Sequence, residues 1–166
     1  DRKHRRANPH FCQDIMNTYF EIIDDLQEIA IAEPFVNTVT QGDITDVDLN
    51  KSTIFPLCHL SVTNASIASN LVTLDVSVIL MDIIDFSKDN PSSDIRGNNN
   101  EMDTLNTQLN VASRLQATIL RNSNIRDTYQ LEGPFSCEPF TERFEANLSG
   151  WSVTFSISMN NSMTSC

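Results

Sequence analysis

The sequence predicts an α+β domain: a mainly antiparallel sheet with a long central hairpin, flanked by two amphipathic helices. Three patterns carry this. Apolar residues recur at three- and four-residue steps near the start and again after residue 100. Strict apolar–polar alternation runs through residues 72–78 and through 151–159. The order helix, strand, hairpin, helix, strand then places the helices on a mainly antiparallel sheet.

The first helix is expected from Asn8-Pro9, an N-cap followed by proline at the first helical position, to about Ala30. Phe11, Ile15, Tyr19, Ile22, Leu26 and Ile29 form its buried stripe, and Asp14, Glu21, Asp24, Asp25 and Glu28 its wet side. Pro34 ends it, since the residue before proline avoids the α region. Phe35–Thr40 reads as a short strand, and 41–53 as an acidic loop. Phe55–Thr63 is a strand with Cys58, Leu60 and Val62 on one face and Leu57, His59 and Ser61 on the other.

Asn64–Asn70 reads as a polar connection, and Leu71–Ile84 as the second strand of a long hairpin. Beyond Ser77 both faces of that strand become apolar through Ile79, Met81 and Ile83, so that end is expected to be covered twice. Residues 87–100 form a long polar loop dense in turn formers. A second helix follows, opened by a capping box of Asn100 and Asp103, with Met102, Leu105, Leu109, Ala112, Leu115 and Ile119 as its stripe. Trp151, Val153, Phe155, Ile157 and Met159 then alternate with Ser152, Thr154, Ser156 and Ser158 in the clearest half-buried strand. Gly150 suits a tight bend before Trp151, a large core anchor. Phe140 and Phe144 share a face either as strand or as helical turn.

At 166 residues the chain suits one domain, read as 9–166, preceded by a flexible basic arm at 1–8. Net charge is −11, but Arg2, Lys3, Arg5 and Arg6 crowd the start, so residues 7–166 hold 21 acids against 7 bases, a charge of −14. Such a body repels a phosphate backbone and is not an ordinary nucleic-acid binder. Nothing approaches the ~18–20 apolar residues of a membrane span. The basic start has no apolar stretch after it, so no signal peptide is read, and Asn-x-Ser triplets such as those at 64 and 147 carry no meaning without secretion. Cys12, Cys58, Cys137 and Cys166 lie far apart without a C-x-x-C pair, and reduced thiols in a cytosolic assembly environment are expected.

No reaction emerges from the residues, and no cofactor or metal is expected. His10 with Cys12 diverge on a helix, and Cys58 with His59 point to opposite faces of a strand. Asp46-Val47-Asp48-Leu49-Asn50 opens like a calcium loop, but Lys51 and Leu57 stand where the turn glycine and the bidentate glutamate are needed. There is no G-x-S-x-G elbow, His59 is a lone strand histidine, and the four glycines are isolated. Asp24 and Asp25 lie on a solvent face, where acid–base work is not expected.

The stretch EPFTERFEANLSGWSVTFSISM, from Glu138 to Met159, resembles the ending of small virion proteins of tailed bacteriophages. The IFPLCHL segment from Ile54 to Leu60, and the strand ending in Met81-Asp82, are similar to their central hairpin. The order of elements over residues 9–159 resembles the tail terminator proteins, which cap a completed tail tube and join it to the neck. The basic arm and the 87–100 loop fall outside the resemblance.

The resemblance implies a non-enzymatic virion protein at the tail–neck junction, assembled in the host cytoplasm into a ring of six copies. Its partners would be copies of itself, the tail tube and the neck or connector proteins. DNA would pass through the lumen without sequence-specific binding, and no membrane is involved. A head-completion or neck adaptor protein, or a soluble α+β protein-binding module, is the alternative.

Interface candidates are the arm bases Arg2, Lys3, Arg5 and Arg6, the loop charges Lys88, Asp89 and Arg96, and the pair Glu142 and Arg143. That pair serves either a subunit contact or an intrachain one. The arm bases have three destinations: solvent, threading DNA, or an acidic face of the next subunit or neck protein.

Overall fold

The computed structural model describes residues 18–85, 99–122, 128–143 and 147–161. The predicted helical stripe folds as α1 (Thr18–Ile31), burying Ile22, Ile23, Leu26, Ile29 and Ala30, while Asp24 and Glu28 face water. The predicted start at Asn8-Pro9 and the arm lie outside the described residues. Tyr19 departs from the stripe and is 49% exposed, because it borders a groove that opens where the first strand ends. The turn out of α1 runs through Pro34 and Phe35 and delays strand β1 to Thr38–Gln41. At that turn the buried Glu33 carboxylate pairs with Arg114 at 2.8 Å, and the Arg114 guanidinium lies 5.0 Å from the Phe35 ring centre.

The connection after β1 is more ordered than a plain loop. Asp43 accepts from the Thr45 N–H at 2.9 Å and caps a 3-10 turn, Ile44–Asp46, and a second such turn spans Ser52–Ile54. The Phe55–Pro56 peptide is cis. Strand β2 then runs Leu57–Ile67 and β3 Leu71–Ile83. The predicted polar connection is therefore mostly strand: Asn64–Ile67 pair with Asp75–Val72, and only three residues turn. Both faces of that end are exposed, so it carries no apolar alternation from which a strand is read.

Helix α2 (Glu101–Arg121) corrects two expectations. The Asn100 side chain does not cap it, because its Oδ1 accepts from the Asp85 N–H at 2.7 Å. The buried stripe is Thr104, Gln108, Val111, Ala112, Leu115 and Ile119, whereas Met102 and Leu109 are exposed. Strand β4 (Tyr129–Arg143), for which the sequence offers only an ambiguous Phe140, pairs with β5 (Leu148–Asn160) across two register shifts. Phe140 is buried within it, and Phe144 lies outside the described residues.

The chain is thus α+β, with a five-stranded sheet in the order β1-β2-β3-β5-β4, parallel only between β1 and β2. Both helices join one core with Cys58, Leu60, Leu74, Val76, Val78, Leu80, Val153, Phe155 and Ile157, every second residue of their strands. A smaller core lies on the opposite face. There Leu57, Met81, Phe140 and Leu148 are buried with Phe55 under Ile44, Val47, Leu49 and Ile54 of the 42–56 connection. That is why Ile79, Met81 and Ile83 are apolar beyond Ser77: this end of the sheet is covered on both sides.

Gly150 is needed for close approach rather than for a bend. It sits inside β5 opposite Met81, and a Cβ there would overlap the Leu80 carbonyl of β3. Trp151 packs on the main core only half-buried, and its indole N–H donates to the Leu105 carbonyl at 2.8 Å, joining β5 to α2.

Candidate functional site

The two edges of the sheet differ. The β4 edge carries Pro134, Pro139 and two register shifts, devices that discourage pairing with another chain. On the other edge β1 pairs only as far as Leu60, and β2 continues through Ser61–Ile67 with no outer partner among the described residues. That stretch has neither proline nor charge, and one register shift between Val62 and Asn64 is the single such device along its otherwise bare outward N–H and C=O groups.

Beside this bare edge lies a groove of about 640 Å3, bordered by Tyr19, Phe20, Asp24, Asp43, Ile44 and His59. Tyr19 and Phe20 meet edge to face with ring centres 6.0 Å apart, yet Phe20 is 66% exposed. The Asp43 carboxyl is held below its ordinary range by the Thr45 N–H and hydroxyl, so it is a carboxylate at neutral pH. His59 is buried, with Nε2 3.1 Å from the Gly42 carbonyl and Nδ1 2.8 Å from the Thr40 hydroxyl. Because a carbonyl only accepts, Nε2 carries the proton and Nδ1 accepts from Thr40. Both ring nitrogens are thereby engaged in fastening β2 to the end of β1. Burial pulls the imidazole below its usual pKa, opposed by the Gly42 bond and the Asp43 charge.

A second polar cluster lies on the open sheet face. The Asp75 carboxylate accepts from Ser156 at 2.6 Å and Asn64 at 3.1 Å, and these bonds lower its pKa. Ser158 donates to Glu132 nearby on β4. Under α2, by contrast, Gln108 is fully buried with neither amide atom bonded, and the Ser149 hydroxyl is likewise without a partner. The hairpin tip is uncovered, with Ile67 76% exposed and Leu71 exposed at the ends of its three-residue turn.

Arg2, Lys3, Arg5, Arg6, Lys88, Asp89 and Arg96 lie outside the described residues. Glu142 and Arg143 end β4, whose backbone is described, while their side chains fall outside. The groove was not legible in advance because Tyr19 reads as a core position and Phe20 as its neighbour. In the fold both instead border the groove at the end of β1.

Cys58 is a free, buried thiol whose pKa burial raises to about 12, and Cys137 is free and partly buried. The described residues hold no group of three or more His, Cys, Asp or Glu side chains placed for a metal ion. Among them no helix is long and apolar enough to cross a membrane. No protein-family model and no curated protein matches the chain.

Proposed function

We propose that this chain is a structural virion protein that assembles into a ring at the junction of a phage tail and its neck, capping the tail tube. The observation that carries the reading is the bare edge of β2 beside uncovered Tyr19 and Phe20, on a fold that also leaves Ile67 and Leu71 exposed at the hairpin tip where that edge ends. Cyclic closure repeats one heterologous contact, which needs two different surfaces on each subunit. The element order and the Glu138–Met159 ending, similar to tail terminator proteins, point the same way. A body of charge −14 suits a lumen through which DNA slides without adhering. The role is architectural, with His59 holding backbone and no reaction assigned to the groove.

A map of the assembled particle tests this. A closed ring of this chain between tube and neck is the expected result. Density for the chain elsewhere in the particle, or its absence from particles, overturns the reading. A neck adaptor is separated by position, lying on the head side of the terminator ring.

A further inference from the structure

The groove beside β2 has a definite shape and charge. Its floor includes His59–Val62 of β2, and from Ser61 the bare edge of that strand runs on past the groove to Ile67, seven residues or about 23 Å at ~3.3 Å per residue. One wall offers the exposed Tyr19 and Phe20 rings, and Asp24 and Asp43 supply negative charge at its border. An occupant suited to all three features is an extended segment of about seven or eight residues, cationic, with long aliphatic stems. Arginine meets the last two needs, stacking its guanidinium on aromatic faces while its stem covers apolar surface.

The chain contains one segment of that kind. Residues 1–8, Asp-Arg-Lys-His-Arg-Arg-Ala-Asn, carry four bases against one acid, and extended they span about 26 Å. We propose that the groove and the bare edge of β2 receive residues 1–8 of a second copy as an added strand. The assignment to a second copy rests on the ring reading, while the match of segment to groove does not. In this arrangement the outward N–H and C=O groups of Ser61–Ile67 gain backbone partners. Arg2 and Arg6 fall on one side of the added strand and Lys3 and Arg5 on the other, and the bases at its Ser61–Val62 end come within reach of the aromatic wall and the two aspartates. The subunit then donates its arm to one neighbour and its β2 edge to the other, a head-to-tail contact that closes on itself.

Amide hydrogen exchange on mixed full-length chains tests the contact. Isotope-labelled chain carrying R2S, K3S, R5S and R6S is mixed with unlabelled wild type, so that any cover on a labelled β2 edge comes from another copy. The outward amides of Ser61–Ile67 are expected to slow at least tenfold, and to lose that protection at about 0.5 M salt or with D24N and D43N in the labelled chain. Central amides of β3 and β5 stay unchanged and report an intact fold. Three results overturn the proposal: no slowing, equal slowing by unlabelled chain that lacks the bases, or full protection of labelled wild type at high dilution, which assigns the groove to its own arm. Slowing without a ring in particles retires the ring reading and keeps the arm contact. A ring with unprotected β2 amides does the reverse.

Discussion

Trp151 joins two elements through a half-buried ring and one hydrogen bond to the Leu105 carbonyl. Trp151→Ala removes both, and a loss of about 3 kcal/mol is expected in denaturant unfolding, the low end for large aromatic truncations because the ring is not fully covered. Trp151→Phe keeps much of the packing and should lose about 1 kcal/mol, the net worth of a hydrogen bond. If the two variants unfold alike, the bond to α2 carries the effect and the packing does not. Gly150→Ala is expected to be as damaging as the alanine at 151, since the added methyl pushes on the β3 backbone, which cannot swing aside as a side chain would. His59 fixes a pH dependence. Its folded pKa lies below the 6.5 of an unfolded histidine, burial being the main cause, so below that pH the unfolded chain binds the extra proton first. Stability should therefore be fully present above pH 6.5 and fall as pH drops through that value toward the folded pKa. His59→Gln should flatten the slope there, and an unchanged slope would show that other groups set it.

At the scale of elements, the first half of α2 is the least settled part of the packing. Gln108 is buried with both amide atoms unpartnered, a situation that costs roughly 1–3 kcal/mol. Gln108→Met, close in volume and without the amide, is expected to raise stability by about 1 kcal/mol or more. A destabilised variant would mean that the amide has a partner in the working protein, and assembly would be the place to look for it. The same helix shows where sequence periodicity fails. Thr104 and Gln108 occupy the buried stripe that Met102 and Leu109 should fill, because the helix is oriented by Val111, Leu115 and Ile119 in its second half and the first half follows as a rigid rod. β3 and β5 were legible because one face packs on helices and alternates cleanly. β4 was not, because Gly133, Pro134 and Pro139 read as breaks, and only an edge strand with register shifts absorbs them. The parallel pairing of β1 leaves no mark in four residues of its own.

Across the whole molecule the dominant fact is the separation of charge between residues 1–6 and the rest. The α+β class follows from patterns spread along the chain, whereas the groove depends on where β1 stops, a three-dimensional fact with no local sequence mark. The arm's chemistry was plain from composition, and its destination was not, because an acidic body offers many faces to four bases. The face proposed for it is the one bordered by Asp24 and Asp43 beside a bare strand edge. Exposed ion pairs contribute only ~0.2–1 kcal/mol each, and salt screens them. Within one isolated subunit, replacing Arg2, Lys3, Arg5 and Arg6 by Ser should therefore change unfolding stability by no more than about 0.5 kcal/mol. Around the proposed ring the same small contacts would repeat at every interface, so assembly should weaken even though the subunit does not. The wild-type advantage in forming rings or entering particles should be largest at low salt and shrink as ionic strength rises, because the Debye length falls from ~30 Å at 0.01 M to ~8 Å at 0.15 M. Incorporation measured by competition between wild-type and substituted chains at both salt levels decides the matter. Equal incorporation at low and high salt would leave the arm a solvated tail and move the search for the subunit contact to the hairpin tip at Ile67 and Leu71.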